Sequence, residues 1–545
     1  DLARTAEVRH VVCAVLILIV DGQQVLTISA ADEESAYGIT STDETLVRLG
    51  LDVELGLDGR IRALKIMLAS RCGHSADLSG PVNDRAICHV DNAYFLEHVE
   101  IVSHRCRTHT VSNTAFRGFG GPQGMFGIET VMDEIAATLG KDPLDVRKIN
   151  LYQDPAISGS PDTMTTQYNQ LIEDWVGDKV IAQVEKESQY AERRKAVQAF
   201  NAKNKTRKRG LALVPLKFGI SFTATHLNQG GALLVVYMDG SVSCNHGGTE
   251  MGQGLNTKMA QVCADGLGIS VDKVRITATD SQKVPNASAT SASSGADING
   301  AAIMNATAQM RERLKPVAAR MLGCAEADIT FANSEAHGGG KSVKWEDITK
   351  QAWLDRVGLS VTGFYMTPEI KYDFTTLNGR AFYYYCYGAA VSEVEINTRT
   401  GEWWLKAVDI VHDVGKSINP AIDKGQIEGA FVQGMGWLTM EECIWDKKGK
   451  LLTHGPSTYK IPVAGDIPEH FNVTLFDGYN LKPTPFHSKA TGEPPLMLGL
   501  SSFFALRDAV AASAEHKVVV HLDAPATPER ILMACEKVKA QVAKA

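Results

Sequence analysis

Alternating apolar and polar residues recur along the chain and predict β-hairpins. A two-residue Asp-Gly turn joins antiparallel strands whose side chains alternate in this way. The pattern appears in residues 45–70 around Asp58-Gly59, in residues 231–245 around Asp239-Gly240, and in residues 386–413 around Thr400-Gly401. The sequence therefore predicts sheets along most of its length.

Segments with apolar residues at helical spacing lie between the hairpins. They are residues 121–140, 252–268, 296–322 and 501–516. Pro122 marks the start of the first helix and Gly140 its end, and Asp297 is the expected N-cap of the third. Strands and helices mixed in this way predict an α+β or mixed α/β fold.

The first apolar run, Val11–Val20, is too short to span a bilayer, which takes roughly 20 residues. The apolar part of a signal peptide is the alternative. However, Asp1, Glu7 and Arg9 precede the run, and no small-residue cleavage site follows it. We therefore predict a buried helix here, and we expect no membrane association elsewhere.

The strongly charged residues 186–210 predict a solvated helix and linker. They would separate a first part, residues 1–185, from a second part, residues 211–545. The basic end of this segment, "KNKTRKR", raises the alternative of nucleic-acid binding. The net charge of -8 argues against that partner, because nucleic-acid binding usually needs a basic face.

The ten cysteines include no C-x-x-C pair, so zinc and iron–sulfur sites are weakly indicated. Reduced thiols in a cytoplasmic protein are the expectation.

Four glycine- or serine-rich segments each precede a predicted helix. They are residues 116–124, 246–254, 288–300 and 424–436. Glycine allows a ligand to approach the backbone, and free amides at a helix start bind anions. None of the four matches the P-loop or the dinucleotide fingerprint. The set predicts a phosphorylated cofactor contacted from several sides, and not ATP, NAD or FAD.

Glu493 stands between Gly492 and a double proline, and a long apolar stretch follows. Burial disfavours the charged form of a carboxylate, so a buried glutamate suggests a general base. A helix-capping glutamate is the alternative. Among aromatic residues, Phe119 is surrounded by glycines, and Phe222 adjoins Thr223. Each phenylalanine either stacks on a flat ligand or belongs to the core.

Motifs spread over residues 80–525 resemble those of the molybdenum hydroxylases, and within that family the xanthine dehydrogenases. They include "SNTAFRGFGGPQG", "KFGISFT", "HGGTEMGQGL", "ADING", "GQIEGAFVQGMG", "GPSTYKIP" and "SKATGEPPLMLG". The resemblance implies a molybdopterin cofactor between two large parts, with no metal ligand from a side chain. It also implies 2Fe-2S, FAD and NAD sites in other domains or subunits, further molybdopterin-binding sequence, and a dimeric assembly.

The resemblance assigns roles to individual residues. The positions that match cofactor contacts are Gln253, Gly252, Arg117, Ala292, Ser293 and Gln426. Glu493 matches the catalytic base of a hydroxylation in which water supplies the oxygen. Phe119 and Phe222 match the aromatics that hold a planar substrate, and Thr223, Leu78 and Leu227 line the same site.

Two further positions favour a purine substrate. Arg85, in "DRAICHVDN", matches an arginine that contacts the purine in the xanthine branch, and Glu7, in "AEVR", matches a substrate-binding glutamate. A surface ion pair is the alternative for Arg85. The chain departs from the family where "DLARTAE" replaces a glycine-rich loop, and at His226, where an apolar or aromatic residue is usual.

The favoured activity is oxidation of hypoxanthine to xanthine and of xanthine to urate. A related hydroxylase of aldehydes or other N-heterocycles shares Glu493 and every cofactor loop. A non-catalytic cofactor carrier is the third hypothesis, and it would not require the Glu493 carboxylate.

Overall fold

Strands and helices alternate along the chain in the computed structural model, which describes residues 14–20, 23–30, 45–154, 156, 161–284 and 286–544. The strands are β1 Ala14–Val20, β2 Gln23–Ala30, β3 Thr45–Gly56, β4 Ile61–Gly73, β5 His98–Arg107, β6 Arg207–Ile220, β7 Gln229–Val236, β8 Val242–His246, β9 Val274–Ile276, β10 Thr330–Ala332, β11 Glu335–Gly338, β12 Lys341–Lys344, β13 Ser360–Met366, β14 Lys371–Asp373, β15 Asn378–Arg380, β16 Tyr384–Asn397, β17 Trp403–Asp413 and β18 His470–Phe476. The α-helices are α1 Ser79–His89, α2 Gly121–Leu139, α3 Pro143–Asn150, α4 Gly177–Glu187, α5 Tyr190–Lys203, α6 Leu255–Leu267, α7 Gly295–Leu322, α8 Trp345–Leu354, α9 Pro420–Thr439, α10 Leu500–Ala512 and α11 Pro528–Lys544. This confirms the predicted mixture of sheets and helices.

The first sheet has the order β1-β2-β3-β4-β5. The hairpin between β3 and β4 turns at Asp58-Gly59 as predicted, and the Gly59 amide donates to Gly56 O at 2.9 Å. The buried helix expected over Val11–Val20 is wrong, because Ala14–Val20 is a strand that pairs with β2. A short apolar run does not distinguish a strand from a buried helix by its periodicity.

Two further sheets contain the other predicted hairpins. One has the order β18-β17-β16-β6 and packs against α10, and the other has the order β13-β7-β8-β9. The hairpin turns near Asp239-Gly240 and Thr400-Gly401 join β7 to β8 and β16 to β17, as expected. Pro494–Ala512 is apolar and long enough to span a membrane, but 89% of it is buried within the protein, as in a core helix.

Local sequence signals account for the helix ends. Pro122 lies in the first turn of α2, and α2 ends at Gly140, whose φ of 63° is left-handed. The expectation that Asp297 caps α7 is wrong. Ser294 occupies the N-cap position, and Asp297 lies inside the first turn, where its carboxylate accepts a hydrogen bond from the Tyr384 hydroxyl.

The buried residues form two separate hydrophobic clusters. One contains residues of β7, β8, α6, α7 and α8, from Ala232 to Val361. The other contains residues from both sides of that segment, from Val53 to Ile220 and again from Ile370 to Val538. Residues 186–210 comprise the end of α4, all of α5 and the start of β6, and a domain boundary at this segment stays a prediction.

A buried ion pair joins α2 to α3. Arg147 Nε donates to Glu129 Oε2 at 2.7 Å, and both side chains are at most 1% exposed. The other oxygen of Glu129 accepts from Asn92 Nδ2 at 2.7 Å and from the Tyr94 hydroxyl at 2.6 Å. These bonds compensate for the burial of both charges.

We expect Glu129→Gln to lower the free energy of unfolding by about 2 kcal/mol, because the buried Arg147 loses one charged partner and keeps Asp133, 3.0 Å from its Nη2. Glu100→Gln is the control, since Glu100 pairs with Lys65 on the surface with 61% of its side chain exposed. Its effect should stay within about 1 kcal/mol. Urea unfolding measures both, and equal effects would contradict the assignment of Glu129 to a stabilising buried pair.

Candidate active site

The Glu493 carboxylate lies beside the loop that precedes α7. Ser293 Oγ donates to Glu493 Oε2 at 3.1 Å and accepts from the Glu493 backbone amide at 2.7 Å. The side chain is 13% exposed. The helix-capping alternative is wrong, because Glu493 precedes the short helix Pro494–Gly499 without a side-chain cap bond. The carboxylate is therefore nearly buried and points to another partner.

That partner is the guanidinium of Arg85. Its Nη2 lies 3.9 Å from Glu493 Oε2, and the side chain is 3% exposed. The Arg85 donors Nη1 and Nη2 bond the carbonyls of Ser221 at 2.9 Å and Gly219 at 2.6 Å. Nε is buried and has no hydrogen-bond partner in the described part of the chain. The alternative of a surface ion pair is therefore wrong for Arg85.

The remaining polar residues of "RAICHVDN" attach α1 to β6. His89 Nδ1 lies 2.9 Å from Arg85 O, and its Nε2 accepts from the Gly219 amide at 3.3 Å. Burial lowers the pKa of His89 well below its usual value, and the charge of Arg85 acts in the same direction. The ring is therefore neutral, with a donor at one nitrogen and an acceptor at the other. It holds fixed the strand whose carbonyls bind Arg85.

Lys489 anchors the segment that leads to Glu493. Its Nζ lies 2.6 Å from Asp174 Oδ2 and 2.8 Å from Asp413 Oδ2, with 1% of its side chain exposed. Burial alone would lower the pKa of Lys489, but the two carboxylates raise it above its usual value. The lysine is therefore charged and binds the segment to β17 and to the residues before α4.

Thr491 and Gly492 are held from other directions. The Thr491 hydroxyl donates to Asp423 Oδ1 at 3.1 Å, and Lys258 of α6 forms an ion pair with the same carboxylate of α9. Gly492 O accepts from Arg117 Nε at 2.5 Å. Sequence reasoning missed Lys489, Thr491, Asp423 and Lys258. One local signal could have indicated the partner of Lys489. Asp413 is a charged residue at the end of the apolar strand β17.

Arg117 also connects its glycine-rich loop to α9. Its Nη2 donates to Gln426 Oε1 at 3.4 Å, and its Nη1 donates to Gln433 Oε1 at 3.2 Å. On the same helix, a Cβ added at Gly425 or Gly429 would meet no atom within 4 Å in the described part of the chain. Two small residues one turn apart therefore leave an open strip on α9 beside Gln426.

The loop before α7 presents free amides. Ala292 and Ser293 have left-handed φ values of 55° and 57°. Their backbone amides donate no hydrogen bond within the described chain. Free amides at a helix start suit an anion. These amides therefore fit the phosphate group of a ligand.

The loop before α6 differs from the sequence expectation. The Glu250 carboxylate accepts from the amides of Gly252, Gly254 and Asn256, each at 2.9 Å. Gln253 closes the same loop, since its Nε2 donates to Thr249 O at 2.8 Å. The loop's own carboxylate therefore occupies the amides of Gly252 and Gly254, which the sequence expectation offered to a ligand. Cofactor contacts by Gly252 and Gln253 stay a prediction.

The predicted substrate contacts lie on three segments. Phe119 is half-buried with a φ of 50°, and Phe222 and Thr223 are half-buried after β6. Leu227 is half-buried in the turn Thr225–Leu227, whereas Leu78, before α1, is 39% exposed. No ring contact joins Phe119 to Phe222 in the described residues. Glu7 lies outside the described residues. The geometry thus brings together Glu493, Arg85 and Ser293, and separately Arg117 and Gln426.

The fold of this chain is similar to those of two solved structures. The chain resembles quinoline 2-oxidoreductase from Pseudomonas putida 86 with a TM-score of 0.78 and 24% identity, over 90% of this chain and 62% of that one. It also resembles CO dehydrogenase from Oligotropha carboxidovorans with a TM-score of 0.77 and 21% identity, over 92% of this chain and 63% of that one.

Curated relatives are more similar in sequence. Xanthine dehydrogenase/oxidase of Gallus gallus is 46% identical over 481 residues, which is 88% of this chain and 33% of that protein. Xanthine dehydrogenase of Emericella nidulans is 44% identical over 485 residues, 88% of this chain and 34% of the other. The chain thus spans about a third of the length of these relatives.

Two family models, both described as molybdopterin cofactor-binding domain, match residues 9–151 and 183–468. Their matches include Arg85 of α1, Ser293 of the loop before α7, and Arg117 and Gln426, which join a glycine-rich loop to α9. The chain therefore belongs to the molybdopterin cofactor-binding domain family, and its cofactor is molybdopterin.

Proposed function

We propose that this chain is the molybdopterin-binding portion of a xanthine dehydrogenase-type enzyme that hydroxylates hypoxanthine and xanthine. The main support for this proposal is that the buried Arg85 guanidinium lies 3.9 Å from the nearly buried Glu493 carboxylate. A base and a fixed positive charge side by side suit a reaction in which the base takes up a proton and negative charge develops on a ring. The similarity to xanthine dehydrogenases gives the substrate class.

The chain's own residues would supply binding, orientation and proton transfer. Gln426 and the amides of Ala292 and Ser293 would hold the cofactor. When bound, the cofactor supplies the metal centre that accepts two electrons, and water supplies the oxygen. Glu493 would accept the proton at its carboxylate, and Ser293 Oγ would keep that carboxylate in place. Burial of the Arg85 and Glu493 side chains, which are 3% and 13% exposed, strengthens the interaction between their charges.

Arg85 would stabilise the negative charge that develops on the heterocycle. Its planar guanidinium is held by two backbone carbonyls and lies 4.9 Å from the Phe218 ring and 5.0 Å from the Phe382 ring. Nε remains available as a buried donor. Phe119 and Phe222 would hold the planar ring, with Thr223, Leu78 and Leu227 beside it.

The partners follow from the same proposal. We infer that electrons leave through 2Fe-2S and FAD sites to NAD in other domains or subunits, and that the whole assembly is a cytoplasmic dimer. Urate formation from xanthine, measured together with the molybdenum content of the native complex, tests the function. Urate in proportion to molybdenum supports the proposal. Molybdenum without urate would direct the search to aldehydes and other N-heterocycles.

Glu493→Gln should lower the kcat for xanthine by at least about 10²-fold, since general base catalysis contributes that much or more. The amide keeps the size of the side chain, so molybdenum should remain bound. Urate absorbance and metal analysis give the two readouts. Glu326→Gln, an exposed residue in a short helix after α7, is the control. Loss of molybdenum in the Glu493 variant would show a structural role instead.

Arg85→Met should lower kcat/KM for xanthine by roughly 10²-fold, the usual effect of removing one electrostatic stabiliser. The loss for an aromatic aldehyde should be smaller, because the aldehyde has no purine ring on which charge develops. The two substrates are compared on the same preparation, with molybdenum content as reference. An equal loss on both substrates would contradict a purine-specific role for Arg85.

A further inference from the structure

A single hydroxyl group connects the two segments that hold the Glu493 carboxylate. Tyr384, the first residue of β16, is 3% exposed. Its hydroxyl donates to Asp297 Oδ2 at 2.7 Å and accepts from the Ala490 amide at 3.0 Å. Asp297 lies in the first turn of α7, just after Ser293, and Ala490 lies shortly before Glu493. Through these two hydrogen bonds, Tyr384 links the segment that contains Ser293 to the segment that contains Glu493.

We propose that Tyr384 and Asp297 are positioning residues for Glu493. They fix the start of α7 relative to the Glu493 segment, and so they set the geometry of the Ser293–Glu493 hydrogen bonds. The proposal rests on the role of Glu493 as general base given above. Neither residue contacts Glu493 itself, so each acts through the backbone that it holds.

The surroundings of Asp297 support a functional reason for this carboxylate. Asp297 is 7% exposed and forms no ion pair among the described residues, because the nearby Lys258 pairs with Asp423. A buried carboxylate without a cationic partner is costly. An ionised carboxylate only accepts hydrogen bonds, so it fixes the direction of the Tyr384 hydroxyl, whereas an amide also carries a donor and would not fix it. The charge therefore points to a function.

The groups that face Asp297 come from three elements. They are Lys258 of α6, Tyr365 of β13, Tyr384 and Cys386 of β16, and Tyr383 immediately before β16. Burial raises the pKa of Asp297 to about 7, while the Tyr384 hydrogen bond and the Lys258 charge oppose the rise. An ionised Asp297 accepts a hydrogen bond from the Tyr384 hydroxyl, and the phenolic oxygen accepts from the Ala490 amide. Protonation of Asp297 removes this fixed direction.

Tyr384→Phe keeps the ring and removes the link, so it tests the proposal on the assembled holoenzyme. Amide exchange in peptides that cover residues 488–493 should become about tenfold faster, because the Ala490 amide loses its partner. The kcat should fall between about tenfold and 10²-fold, as expected for a displaced catalytic group. Molybdenum content and KM should stay at the parent values.

Tyr190→Phe is the matched control. The Tyr190 hydroxyl is also buried and donates to a carboxylate, Asp142 Oδ1, at 3.1 Å, and it accepts from Arg194. These three residues lie in α5 and at the start of α3, apart from the Glu493 segment. Unchanged exchange at residues 488–493 in Tyr384→Phe, or a kcat no lower than that of Tyr190→Phe, would overturn the proposal. Loss of molybdenum from Tyr384→Phe would also overturn it.

Asp297→Asn gives a second readout that a purely structural role would not move. Because positioning requires the ionised carboxylate, the kcat of the parent should fall as the pH drops through about 7. An asparagine does not titrate, so the kcat of the variant should not show this fall as the pH drops through about 7. An identical pH profile in both proteins would overturn the role of Asp297. The exchange experiment needs no substrate, so a parent that oxidises no purine would refute the proposed function and leave this test intact.

Discussion

Holding a nearly buried carboxylate in place is the constraint on which the site depends. The Glu493 side chain is 13% exposed, and it has one hydroxyl within hydrogen-bond distance and one guanidinium at 3.9 Å. Arg85, Ser293 and Glu493 come from widely separated parts of the sequence. Their meeting therefore requires α1, the start of α7 and the residues before α10 to pack in one arrangement. Small errors in that packing would act directly on the charged groups.

The residues before Glu493 solve this problem by separate attachments. Lys489 binds two carboxylates, Thr491 binds the carboxylate of α9, and Gly492 binds Arg117. Each attachment comes from a different element, so no single loop determines where the carboxylate lies. The charged members are paired within the protein, which compensates for the cost of burying them. Rigid support of this kind distinguishes a functional side chain from one that is merely exposed in a cleft.

Local signals made much of the fold predictable. Asp-Gly turns located the hairpins, and Pro122 and Gly140 located both ends of α2, because these residue types restrict the backbone itself. Val11–Val20 failed since a short apolar run fits a strand as well as a helix. The prediction of Asp297 as a helix cap was wrong because the side chain instead binds Tyr384, which is distant in sequence. Arg85 and Glu493 could be singled out through family motifs, whereas the attachments of Lys489 and Thr491 depend on pairings that no local pattern contains.

The hydrogen bonds of Glu250 order the loop before α6 in advance, which affects the affinity for a ligand that binds beside it. Its carboxylate gathers three amides and closes residues 249–256 on themselves. A loop that is folded by its own side chain has already lost its conformational entropy before any ligand arrives. Binding beside it would not have to repay that entropy, so more of the contact energy would appear as affinity.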